Sequence, residues 1–498
     1  MRFSLLSGLF LTASTVLAQK SLVGYFPNWL YAKWPASNID FSKYTHINYA
    51  FSILISGATP TYSDPQEVQT QLPQLVSLAH AKNSKVLLSI GGWSGCLTFS
   101  TMVADASQRQ TFISWVQNEI KTYNLDGVDI DWEYPGSTGA GCNAMDLAND
   151  ANNYLTLLKE MRQALGNTLE ISIAAYVRPF KTSSGTMSDV SAYAAVVDRF
   201  NLMTYDINGA WNTTSGPNAP FNFQPGLGDA DSFVSAIDAW MGAGVPASKI
   251  VPGVAFYGRS ATATVDMSNT NQYQPQNAGN PPSGDSDDAY WQDPYCSKDP
   301  GGVSGVWKYR NLRSQGVLTS PTTAAAPWIR KFDNVTQTPW LFNPTTKAFI
   351  SYDDPVSIGV KTDYAISKNL GGLMVWSVDE DSSNGELLAV AAKILANGGG
   401  GSTTTTTVKT TATSTTTQAT TTTTASVPTT TASATTTASS TPTSGSGPCS
   451  GVSAWSASTT YVGGDQATYS GSLWKAQWWT LGDTPGGSAG VWVKAGTC

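Results

Sequence analysis

Eight apolar, β-rich runs separated by helical patterns constrain this chain more than any other feature. They lie near Leu22 to Phe26, Thr45 to Ser52, Lys85 to Ile90, Gly127 to Glu133, Leu169 to Tyr176, Phe200 to Tyr205, Ile250 to Tyr257 and Gly372 to Ser377. Between them, segments such as Val68 to Ala81, Gln108 to Tyr123 and Asp231 to Ala243 carry helical spacing. Strands joined through helices pair in parallel, because the crossover returns the chain to the same end of the sheet. Eight such units predict an α/β fold, a (β/α)8 TIM barrel with its chemistry at the C-terminal ends of the strands. From about 260 to 354, between the seventh and eighth runs, the chain is too long for one crossover helix. A small inserted α+β lobe is expected there.

The pattern ends near residue 398, and from there to about 447 almost every residue is Thr, Ser, Ala, Gly or Pro. Such a stretch cannot bury enough apolar surface to offset the entropy of ordering it, so it reads as a disordered, O-glycosylated linker. About 50 residues of random coil would span roughly 40 Å. Residues 448–498 then form a small all-β C-terminal module bounded by Cys449 and Cys498. A bridge between these two would contribute about 4 kcal/mol in the chain-entropy account. The module holds five tryptophans, more than so small a core can hide.

At the other end, Arg2, the apolar stretch Phe3 to Leu17 and the small-residue site Val16-Leu17-Ala18 read as a secretory signal over residues 1–18. The apolar run is shorter than the roughly 20 residues a membrane span needs. A secreted, extracellular protein with the barrel unit at 19–397 is the expectation, and disulfides are permitted there. Of the five cysteines, Cys96 and Cys142 follow the third and fourth strands, so a bridge between them is expected, with Cys296 left over. Asn212-Thr213-Thr214 and Asn334-Val335-Thr336 are N-glycosylation sequons.

Composition narrows the chemistry. Lys plus Arg number 28 against 35 acidic residues, a net charge of -7, which argues against a nucleic-acid grip built on phosphate neutralisation. Only two histidines, His46 and His80, are present, too few for a His-rich metal site or for a histidine base in a triad. His46 is expected to be a packed, hydrogen-bonded residue. Carboxylates are the better acid–base candidates, and 17 tryptophans with 20 tyrosines supply flat faces of the kind that bind sugar rings.

The acids that matter stand in Leu125-Asp126-Gly127-Val128-Asp129-Ile130-Asp131-Trp132-Glu133-Tyr134. Alternate side chains of a strand share a face, so Asp129, Asp131 and Glu133 are expected to project into the lumen, with Val128, Ile130 and Trp132 opposite. The interleaved apolar residues argue against a solvated or calcium-binding turn. Crowded like charges in a poorly solvated lumen raise at least one carboxyl pKa. Glu133 is placed last on the strand, at the chemical end of the barrel. Same-face neighbours lie roughly 6.6 Å apart and approach a glycosidic bond from one side, so a second reactive partner must come from elsewhere. A 2-acetamido group on the substrate can supply it.

Asp126, Asp129, Asp131 and Glu133 match the D-x-x-D-x-D-x-E signature, and the chain here resembles glycoside hydrolase family 18, the chitinases. Ser89-Ile90-Gly91-Gly92-Trp93, Met203-Thr204-Tyr205-Asp206, Phe256-Tyr257-Gly258-Arg259 and Gly372-Leu373-Met374-Val375-Trp376 are similar to the family's third, sixth, seventh and eighth strands. The resemblance implies Glu133 as general acid and later base, and Asp131 as the group that supports the acetamido nitrogen, without metal or cofactor. It implies that Asp129 and Asp126 hold the proton network, Tyr205 bonds the acetamido oxygen, and Asp206 and Arg259 make polar contacts. Trp376 would floor the site, with Trp93, Trp211 and Tyr257 lining the cleft.

The last 51 residues resemble carbohydrate-binding modules of family 5/12. That implies a chitin-binding face of Trp478 or Trp479 with Tyr461, and Trp455 and Trp474 in the core. Together these features imply a secreted, retaining, monomeric chitinase with chitin and chitooligosaccharides as partners, and no nucleic acid or membrane. An endo-β-N-acetylglucosaminidase acting on N-glycans and a non-catalytic chitin-binding protein stand as alternatives; endo or exo action is left open.

Overall fold

A computed structural model describes residues 20–396, 449, 451–457, 459–461, 464–476, 480–481, 483–487 and 491–498. The expected signal and linker lie outside them. The chain divides into two compact units, before and after Gly400.

In the first unit, strands β1 (Ser21–Pro27), β2 (His46–Ser52), β3 (Lys85–Gly91), β4 (Gly127–Asp131), β5 (Glu170–Ala175), β6 (Arg199–Leu202), β7 (Ile250–Ala255) and β8 (Gly372–Trp376) form one closed ring in sequence order. Every pairing in the ring is parallel, and Ser21 against Gly372 closes it. The strands are buried on both sides, as continuous apolar runs require. Two of the long barrel helices begin at side-chain caps. Asp64 accepts from the Gln66 and Glu67 amides at the start of Pro65–His80, and Asp105 accepts from Ser107 and Gln108 at the start of Ala106–Tyr123.

Two boundaries differ from the sequence expectation. Strand β4 ends at Asp131, so Glu133 stands in the turn beyond it rather than on the strand. The lobe begins at Tyr257, because the chain leaves β7 at Ala255 and enters a five-stranded antiparallel sheet. Its order is Val306–Lys308, Tyr257–Thr262, Ala348–Ser351, Thr338–Phe342, Ile329–Asp333. A helix, Tyr309–Ser314, and a core around Met267, Trp340, Phe342 and Phe349 complete an α+β lobe.

The expected Cys96–Cys142 bridge is not formed: Cys142 joins Cys296, and Cys96 is free and buried. Its Sγ is turned inward, donating to the Gly92 and Asp131 carbonyls at 3.2 Å each, and so is committed to the barrel.

In the second unit Gln466–Tyr469, Ser472–Ala476 and Trp492–Thr497 form an antiparallel sheet, Thr460–Tyr461 pairs with Thr480–Leu481, and Cys449 joins Cys498. Tyr461 is not an exposed platform here. It is 8% exposed, sits edge-on to Trp492 at 4.8 Å, and its Oη accepts from the Ser456 amide. Trp455 and Trp474 pack on the same core. Trp478 and Trp479 lie outside the described residues.

Candidate active site

Asp129 is fully buried in the lumen, and four donors from four other strands converge on its carboxylate. Tyr25 Oη on β1 and Ser89 Oγ on β3 reach Oδ2 at 2.8 Å each, while Ser172 Oγ on β5 and Asn201 Nδ2 on β6 reach Oδ1 at 2.6 and 3.1 Å. Burial raises its pKa, and the bonds from Ser172, Tyr25 and Ser89 work against that rise. None of these donors was identified from sequence alone. The available signal was a polar residue inside each buried apolar run.

Asp131, two residues on, is 3% exposed, and among the described residues its Oδ1 has no hydrogen-bond partner. Burial first, then the charges of Glu133 and Asp129, push its carboxyl well above the usual range. Glu133 is raised to about 7, chiefly by burial and further by the charge of Asp206, with a hydrogen bond from Tyr134 opposing. One carboxyl in the site thus keeps its proton near neutrality, which is what a general acid needs.

The backbone beneath the acids is tightly set. The Glu133 amide donates to Cys96 Sγ at 3.4 Å, and Asn143 Nδ2 donates to the Glu133 carbonyl at 3.0 Å. At Gly91 φ is +121°, and a Cβ would stand 2.1 Å from the Asp131 carbonyl oxygen, so only glycine lets β3 pass here.

Tyr205, after β6, is buried among Met374, Asp131 and Tyr257. Asp206 accepts from Arg259 Nε and Nη2 at 2.8 Å each and from Tyr257 Oη at 2.7 Å, and the Arg259 guanidinium lies 5.3 Å from the Trp211 ring centre. Trp376 ends β8 and stacks on Phe51 at 5.9 Å, which in turn stacks on Trp29 at 6.2 Å. Trp29, Trp93 and Trp211 are each more than half exposed. Phe51 and Trp29 extend the aromatic rail that Trp376 begins and were not foreseen. Neither was Glu380 beyond β8, whose carboxyl burial and the neighbouring Asp379 raise to about 8.

Asp126 is not part of this group. It precedes β4 at the opposite end of the barrel, where Oδ2 accepts from the Val86 amide at 2.7 Å and meets His80 Nε2 at 2.9 Å. Position in the D-x-x-D-x-D-x-E run does not imply proximity: Asp126 stands before the strand begins, so the shared-face rule does not reach it.

The family model for glycosyl hydrolases family 18 matches residues 21–381. The chain belongs to this family. A second model, carbohydrate-binding module family 5/12, matches residues 454–493, so the family 18 barrel carries a carbohydrate-binding module. Relatives include a chitinase-like effector of Moniliophthora roreri, 34% identical over 72% of this chain and 88% of that one. Chitinase A1 of Niallia circulans is 31% identical over 72% of this chain and 56% of that one. Among solved structures, a Rhizomucor miehei chitinase covers 75% of this chain and 100% of its own at 32% identity, with a TM-score of 0.69.

Proposed function

We propose that this family 18 member is a secreted chitinase that hydrolyses β-1,4 links between N-acetylglucosamine units with retention. The observation that carries the reading is the placement of Asp131, buried with an unpartnered Oδ1 among the described residues, and Glu133 at the C-terminal end of β4, where burial raises both carboxyls. Glu133 gives its proton to the glycosidic oxygen as the substrate's acetamido oxygen attacks C1; the C1–O bond breaks and the leaving sugar departs with that oxygen as its hydroxyl. The ring oxygen's developing charge is relieved as an oxazolinium forms, and Asp131 accepts the acetamido N–H. Glu133, now a carboxylate, takes a proton from the water that attacks C1; the C1–acetamido oxygen bond breaks, the acetamido group is restored, and the two successive inversions at C1 give retention.

Asp206, the other acid felt by Glu133, is bound on both oxygens by Arg259 and Tyr257, which supports a substrate-supplied nucleophile over a second carboxylate. Tyr205 would hold the acetamido oxygen and Trp376 the distorted ring. Trp93, Trp211 and Tyr257 would line the cleft, and the module would raise the effective concentration of enzyme at a solid surface. Freshly released product followed by NMR should appear first as the β-anomer; an α-anomer would overturn the mechanism.

Two relatives named chitinase-like effectors favour a second reading, chitin binding without turnover. The complete Asp129, Asp131 and Glu133 set argues for hydrolysis.

A further inference from the structure

We infer that the Cys142–Cys296 bond holds a strap across the mouth of the barrel, so that a polysaccharide enters the cleft by its end rather than sideways; the inference rests on the glycosidase reading above. Residues 284–305 of the lobe leave and return at one point, where Asp288 Oδ2 accepts from the Gly284 and Gly305 amides at 2.7 and 2.9 Å. Trp291 and Gly302 exchange backbone hydrogen bonds at 2.9 Å, which makes the excursion a two-armed strap.

Its root is fixed beside β7 and β8. The Lys308 amide donates to Asp285 at 2.7 Å, Tyr309 to the Phe256 carbonyl at 2.9 Å, and Arg310 to the Glu380 carbonyl at 2.8 Å. The far end is fixed to the loop after β4, through Cys296–Cys142 and through Lys298 Nζ, which donates to the Gly141 carbonyl at 2.9 Å. In a closed ring of eight strands β4 stands opposite β8, so this connection joins opposite rims of the mouth.

The loop that receives the strap holds the Glu133 turn and walls a cavity beside it. Asn143, next to Cys142, holds the Glu133 carbonyl, and Pro135 to Thr138 with Met145 wall a cavity of about 510 Å³ shared with Tyr134 and Tyr176. On the strap, Tyr290 and Trp291 are 68% and 53% exposed. An unbridged groove accepts a chain anywhere along its length. Under a covalent strap, a chain must be threaded, and a bulky substituent on each end blocks entry by steric exclusion.

The test uses the full chain and N-acetylglucosamine oligosaccharides that are uncapped, capped at one end, or capped at both ends with a bulky dye. The wild type should cleave the doubly capped oligosaccharide at least about tenfold more slowly than the singly capped one. The Cys142→Ser/Cys296→Ser variant should close that gap while keeping its rate on the uncapped chain. Equal wild-type rates on singly and doubly capped chains would overturn the strap, whether or not the variant folds. Failure to cleave even the uncapped oligosaccharide would instead count against the glycosidase reading.

Discussion

At the N-terminal end of the barrel Glu170 is ringed by Arg199, Lys85 and His46, whereas at the C-terminal end Asp129, Asp131 and Glu133 have hydroxyls, an amide and one another for company. Burial pushes Glu170 upward, but the hydrogen bonds with His46 and Lys85 and the charge of Arg199 outweigh it and hold the carboxyl far below its usual range. His46 itself is lowered to about 4 by burial and by Arg199. At the mouth no ion pair reaches Asp131 or Glu133 among the described residues, and burial keeps both carboxyls above their usual range. Buried charge is stabilising where it is paired and reactive where it is not.

The comparison breaks most visibly if Glu133→Gln leaves turnover intact. The expected loss is about 10²- to 10⁴-fold in kcat on a chitooligosaccharide, while calorimetric binding of that oligosaccharide persists. The same substitution should not lower Tm. A carboxyl whose folded pKa is raised binds its proton more tightly folded than unfolded, so its ionisation erodes stability as pH rises from about 4.3 towards about 7. The variant's Tm advantage should therefore appear at pH 7 and shrink towards pH 4.

Arg199→Ala is the converse. Leaving Glu170 buried without its guanidinium should cost about 3–5 kcal/mol in denaturant unfolding, with kcat per folded molecule little changed. Comparable loss of activity would mean that the two ends are not separable. Because Glu170 and His46 are both depressed, the stability of this cluster is present at neutral pH and lost as pH falls, opposite in sign to the mouth.

The smallest effect sharpens the picture at the mouth. Turnover should decline as pH rises through about 7, where Glu133 gives up its proton. Asp206→Asn removes a charge that helps to keep that proton, so the alkaline limb should move to lower pH by less than about one unit. A limb that stays fixed would detach Asp206 from Glu133.

The barrel was legible because most strands are short, largely apolar runs and several helices begin at a local cap, such as Asp64 or Asp105, signals that need no distant partner. Asp129, Asp131 and Glu133 were legible for the same reason, being spaced on one short segment. What escaped depended on ring closure. Tyr25, Ser89, Ser172 and Asn201 are far apart in sequence and meet only around Asp129. Cys142 pairs with a residue 154 positions away because the lobe reaches back to β4, a path that spacing does not encode. Tyr461 was misjudged because an aromatic in a tiny module can serve its core as readily as its surface.

The four hydroxyl and amide groups on Asp129 also make the site a witness to assembly. With donors on β1, β3, β5 and β6, a half-formed ring leaves this carboxylate partly unsolvated and partly unbonded, however much helix and strand it already contains. During refolding, catalytic competence should therefore return with the closing of β1 against β8, after secondary structure has recovered, so regained turnover times the last step of folding rather than the first.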